Sequence, residues 1–224
     1  MSHSRRAAGA LAQLPEVDPA LGVLALWCRH RDGHEATYSQ GETVVYGPDF
    51  NALGRAEQIG VVAHHVLHVA LRHSARAEAL RERLGDRFDP QLYGLAADAV
   101  VNDTLRLAEM ALPRPFVSLL DLLIRIGQPA PSARAALADW DVDRLAMLLH
   151  RDSAAGQAAR AYGDAQAFRQ DLEPEQGGGD GQQSPAEWRG HMARALAAGR
   201  AAGTGVGLLQ ALIADLAPPR VPWE

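Results

Sequence analysis

Between Arg55 and His73 the apolar residues Ile59, Val62, Val66 and Val69 recur three and four positions apart, the spacing that lines one face of an α-helix. This predicts one long helix over 55–73 with its stripe against a core. Ahead of it the pattern changes. Residues 22–28 form a short apolar run with β-branched and aromatic members, which predicts a buried strand. Residues 35–38 and 43–46 flank the turn-forming Ser39-Gln40-Gly41-Glu42 and predict a hairpin, and Gly47-Pro48-Asp49-Phe50-Asn51 breaks the sheet before the long helix.

A short helix is predicted at 7–14 and a second long one over 90–110, stopped by Pro113 and Pro115. Shorter helices are predicted at 118–126 and 141–150. From 171 the composition turns to Gly, Gln, Pro and acidic residues, including Gly177-Gly178-Gly179-Asp180-Gly181, and predicts a flexible linker over 171–187. Two further helices follow at 188–199 and 208–216. The expected organisation is therefore a core over 1–170, the linker, and C-terminal helices over 188–224. The fold class is α+β, with a small N-terminal sheet packed on the long helix and a mainly helical C-terminal half.

Composition narrows the function classes. With 47% hydrophobic and 22% charged residues, the chain falls among globular proteins, and no apolar run reaches the roughly 18 residues of a membrane span. The N-terminus has too short an apolar stretch for a signal peptide. One cysteine, Cys28, excludes an internal disulfide framework and fits a reducing compartment, so the cytoplasm is expected. A net charge of -5 argues against a nucleic-acid partner, which wants clustered positive charge. All 22 basic residues are arginine, a bias better ascribed to genome composition than to recognition.

The chemistry concentrates in one place. Four of the nine histidines, His64, His65, His68 and His73, fall within ten residues. His64 and His68 are four apart, so both imidazoles project from one helix face, as two ligands of a zinc ion require. In the His-Glu-x-x-His motif of zinc peptidases, the glutamate after the first ligand takes the proton of the metal-bound water; here His65 holds that catalytic position. Asp98 is the candidate third ligand, on the next long helix behind Ala96 and Ala97, and Asn102 one turn later is placed to hydrogen-bond a ligand histidine. His73 is the rival third ligand, able to reach the metal only if the helix ends near Leu71. Glu57 lies about 10 Å up the helix axis, far for a substitute base. The plainer alternatives are histidines on a half-exposed helix face and an aspartate pairing on a helix surface.

Taken together, Tyr46-Gly47-Pro48-Asp49-Phe50, the stretch from Val62 to His73, Leu95 to Asn102 and the Leu112-Pro113 step resemble the bacterial putative-metallopeptidase domain that precedes a von Willebrand factor A-like domain. The resemblance covers most of the chain, and His65 is its departure from the motif. It implies a zincin-like core, Zn²⁺ as cofactor and His64, His68 and Asp98 as its ligands; on the metallopeptidase reading a peptide is expected to lie antiparallel to an edge strand near Thr43 to Tyr46, above the metal. It also implies a von Willebrand factor A-like domain and a MoxR-type AAA+ ATPase as associates, with the tail from Trp188 to Glu224 as the junction to an A-like domain beyond this chain. With His65 in place of the glutamate, weak or absent peptidase activity is expected. His65 could instead supply a further ligand and close the coordination sphere. The competing readings are a non-catalytic peptide- or protein-binding module, metal-stabilised or not, and a helical domain with incidental histidines.

Overall fold

The computed structural model describes residues 4–174 and 183–202; the helix predicted at 208–216 lies outside them. Ser4 Oγ and the backbone N–H groups of Arg5 and Arg6 converge on the Asp32 carboxylate, fastening the start of the chain before α1 (Ala8–Val17). The apolar run at 22–28 is not a strand. It forms the latter part of α2 (Pro19–Ala25) and the turn after it, because Asp18 accepts the Leu21 N–H at 2.9 Å and Pro19 opens the first turn, a helix start that outweighs strand propensity. Cys28, just beyond, is buried with its thiol against the Leu24 carbonyl, and burial followed by the charge of Glu42 raises its pKa.

Three short strands follow: β1 (Arg29–Asp32), β2 (Tyr38–Gln40) and β3 (Thr43–Tyr46). The predicted hairpin is present as the antiparallel pair β2/β3, with Ser39 opposite Val44. β1 runs parallel to β3 on its other side. β3 is thus paired along both edges, and the expected peptide-binding edge near Thr43 to Tyr46 is already occupied by β1.

The long helix α3 (Arg55–Ala70) stops short of the predicted His73. Arg72 takes left-handed backbone angles, φ 55° and ψ 40°, and a new helix, α4 (His73–Leu84), starts immediately. α5 (Pro90–Leu107) ends ahead of the expected Met110, with Glu109 left-handed at φ 59°. The predicted helices at 118–126 and 141–150 are α6 (Leu119–Arg125) and α8 (Val142–Arg151). Two more, α7 (Ala133–Asp139) and α9 (Ser153–Ala165), were not anticipated, although Ser132 and Asp152 cap them as favoured N-cap residues do.

The stretch expected to open a linker at 171 joins the sheet instead. Leu172–Glu173 form β4, parallel to β2, giving the order β1-β3-β2-β4. After it, α10 (Pro185–Ala202) returns to pack on α2, burying Trp188, Met192 and Ala195 within the same hydrophobic core as α1, α3 and α5. Among the described residues the fold is mixed α/β, mostly helical, with one four-stranded sheet. No described helix is long and apolar enough to cross a membrane.

Candidate metal centre

The N-terminal half of α3 is held in place on the way to its histidines. Glu57 reaches back to accept the Gly54 N–H at 3.0 Å, satisfying one of the free donors at the helix start; it caps the helix and takes no part in the centre. One turn before His64, Gly60 lets the chain at Ala111 ride directly over the helix, since a Cβ there would fall 1.8 Å from the Ala111 carbonyl oxygen. Along the rest of α3, Ile59, Val62, Val66 and Val69 face the core as predicted, and His64, His65 and His68 are all buried.

The ring orientations follow from their partners. Asn102 on α5 donates its amide N–H to the Val117 carbonyl at 3.0 Å, so its Oδ1 is the atom facing His64 Nδ1 at 2.9 Å. His64 Nδ1 therefore carries the hydrogen, and Nε2 is left to face the interior of the site. His68 Nδ1 lies 3.1 Å from His73 Nδ1. The helix ends early enough to bring His73 beside the site, yet it meets the far side of His68 rather than the cluster of ligand atoms. It orients a ligand candidate from behind. His65 Nδ1 shares a 2.7 Å hydrogen bond with Ser39 Oγ on β2.

Two carboxylates meet the exposed nitrogens. Asp98 Oδ1 is 3.4 Å from His68 Nε2 and 3.9 Å from His64 Nε2. Asp171, immediately before β4, puts Oδ2 3.3 Å from His64 Nε2 and 3.8 Å from His65 Nε2. Each of His64, His68, Asp98 and Asp171 offers one atom, all within 4.8 Å of one another, an arrangement that can hold a metal ion. His64 Nε2, His68 Nε2, Asp98 Oδ1 and Asp171 Oδ1 are buried without a hydrogen-bond partner. Four orphaned polar atoms on four converging side chains are costly in a protein interior, and a cation among them satisfies the donor set.

The charges agree. Burial pushes His64 toward neutrality, but Asp171 beside it, with Asp98 and the Asn102 hydrogen bond, lifts its pKa to about 9. Burial raises Asp98 and the negative charge of Asp171 adds to this, while His64 opposes. Asp171 is lowered despite its burial, chiefly by His64. Two facing carboxylates thus share a single imidazolium, a deficit of positive charge that a divalent cation removes. Burial drops His65 to about 3, with Asp171 opposing and His64 adding to the effect; a base so weak at neutral pH is poorly matched to proton abstraction. Burial likewise takes His68 to about 3 and His73 well below its ordinary value.

The site opens into a cleft of about 320 Å³. His64, His65, Asp98 and Asp171 form one end of it, and Leu53, Val61, Leu112, Pro113, Phe116 and Phe168 give apolar walls. Val117 lines the cleft, and the residues after it are anchored on α5, where buried Asp103 accepts from Ser118 Oγ and the Leu120 N–H.

Of the residues expected from the sequence, His64, His68 and Asp98 converge, His65 adjoins them, and His73 stands behind His68. Asp171 was missed: it sits at the edge of a Gly-, Gln- and acid-rich stretch, and nothing in its local sequence distinguishes it from the solvated acids around it.

A helix carrying paired histidines, met beside a cleft by a carboxylate from a neighbouring helix and another from the residue before a strand, defines a candidate metal-dependent protein of the metallopeptidase kind. The chain belongs to the family described as the putative metallopeptidase domain, whose family model matches residues 2–224. Searches of curated proteins and of solved structures returned no match.

Proposed function

We propose that this protein is a zincin-like zinc protein of the metallopeptidase type in which peptide hydrolysis is weak or absent. The reading is supported by His64 and His68 on one face of α3, Asp98 approaching from α5, and a cleft lined by His64 and Asp98. A bound zinc ion would polarise a substrate carbonyl and acidify a bound water. His64, His68 and Asp98 would hold it, Asn102 and His73 would keep the two rings turned toward it, and the apolar cleft would receive a hydrophobic side chain beside the reacting carbonyl.

The single observation that carries the reduced activity is at His65. In place of a carboxylate free to accept a proton, that position holds a buried imidazole tied through Nδ1 to Ser39 Oγ. Loss of general acid–base help costs about 10²- to 10⁴-fold in rate. A non-catalytic module that binds an apolar peptide segment, with the metal serving stability, is the second reading, favoured by the same cleft. The A-like domain and AAA+ ATPase belong to this proposal as associates, supported by the resemblance of the tail alone.

The test is hydrolysis of denatured casein by the zinc-loaded protein beside a His64→Ala, His68→Ala variant. Turnover at or near the variant's background is expected. Fast, metal-dependent turnover lost in the variant would overturn the assignment of reduced activity.

A further inference from the structure

We infer that Asp171 closes the fourth coordination position of this centre and that His65 is the positioning residue that allows it. The inference rests on the metal reading above and deepens it, turning a three-ligand site open to substrate into a closed His₂Asp₂ site that clasps α3, α5 and β4 together.

Three independent features support it. The first is distance. Zinc bonds of about 2.0–2.2 Å in a tetrahedron put neighbouring ligand atoms about 3.3–3.6 Å apart. His64 Nε2 to Asp171 Oδ2 is 3.3 Å and His68 Nε2 to Asp98 Oδ1 is 3.4 Å, both within this range, whereas His64 Nε2 to Asp98 Oδ1 is 3.9 Å, so Asp171 is placed at least as well as Asp98 to share an ion with His64. The second is placement. Asp171 is fixed by the sheet, its carbonyl accepting the Ser39 N–H at 2.7 Å and the next residue pairing in register with Ser39. Its side chain enters from the strand side, away from the helices that supply the other three. The third is charge: two neutral imidazoles and two carboxylates balance a divalent cation, and closed four-ligand spheres mark structural rather than catalytic zinc.

His65 completes the argument. Its Nε2 is 3.8 Å from Asp171 Oδ2, and Ser39 holds the ring from behind. A glutamate at position 65 would add a third carboxylate to the site, directly against that of Asp171, and like charges at this range in a buried site repel strongly. Positions 65 and 171 are therefore coupled. A glutamate suits an open site with Asp171 displaced, and the histidine present here suits Asp171 at the metal.

The experiment uses the full chain loaded with Co²⁺, whose visible spectrum reports the ligand sphere, and acetohydroxamate as an exogenous metal ligand. The wild-type spectrum is expected to stay unchanged on adding hydroxamate. Asp171→Asn is expected to alter the starting spectrum and to respond to hydroxamate. His65→Glu is expected to displace Asp171 and so to give a cobalt spectrum that responds to hydroxamate as that of Asp171→Asn does. A wild-type cobalt spectrum that shifts on adding hydroxamate overturns the closed site while leaving the metal reading intact. Failure of the wild type to take up cobalt overturns the metal reading itself. The wild-type arm decides even if a variant fails to fold.

Discussion

Asn102 Oδ1 lies 2.9 Å from His64 Nδ1 while the same amide donates to the Val117 carbonyl at 3.0 Å. One side chain thus fixes the tautomer of a ligand candidate and ties it to the wall of the cleft. Replacing such a hydrogen-bond partner typically costs about 10- to 100-fold in metal affinity. Asn102→Ala should lower zinc affinity by that order with a stoichiometry of one retained. Competition against a chelator measures it, and unchanged affinity would show that the amide does not orient His64.

His73 offers a different contrast. With the metal on His68 Nε2, Nδ1–H of His68 donates to His73 Nδ1, 3.1 Å away. His73→Phe removes the acceptor but no ligand, so about one metal per chain should still bind, roughly tenfold more weakly. Complete loss of binding in a variant that keeps its circular dichroism would make His73 a ligand.

Proton linkage gives a third prediction. In the metal-free protein His64 is held protonated, with its pKa up to about 9, and metal binding must displace that proton. Calorimetry at pH 7 in buffers of different ionisation enthalpy should show net proton release on metal binding, from His64 and from the Asp98 carboxyl, whose pKa burial and Asp171 also raise. Affinity should fall as pH is lowered from 9. For the metal-free fold the sign is opposite: the stability contributed by charged His64 is fully present below its unfolded value near 6.5 and is lost as pH rises through 9. Metal uptake without proton release would contradict the His64–Asp171 arrangement.

Gly60 and Gly190 form a matched pair. A Cβ on Gly60 would sit 1.8 Å from the Ala111 carbonyl oxygen, whereas one on Gly190 meets nothing within 4 Å. Gly60→Ala should destabilise by about 1–3 kcal/mol through forced overpacking. Gly190→Ala, within α10, should be neutral or stabilising by up to about 1 kcal/mol. Urea unfolding measures both, and equal effects would mean that Ala111 does not ride on α3.

What could be read from the sequence follows from which signals are local. The apolar stripe and the histidine spacing of α3 repeat within one helix, so both that element and the proximity of His64 and His68 were legible. The β2/β3 hairpin was legible from its turn. The start of α2 was written in Asp18-Pro19 but overshadowed by the apolar run that followed. The break at Arg72 depends on a left-handed residue that arginine seldom adopts, and without it α3 and α4 read as one helix. The pairing of β3 on both edges and the arrival of Asp171 are long-range outcomes. Ser39 and Leu172 meet across the sheet, and no periodicity near Asp171 announces that meeting.

The central claim, that His64, His68 and their carboxylate partners form a metal centre, is tested most directly by elemental analysis of the purified protein offered zinc, beside the His64→Ala, His68→Ala variant. About one zinc per chain, absent from the variant, is the predicted result. A wild-type protein that holds no more metal than the variant would contradict the account and leave the four orphaned side-chain atoms without their cation.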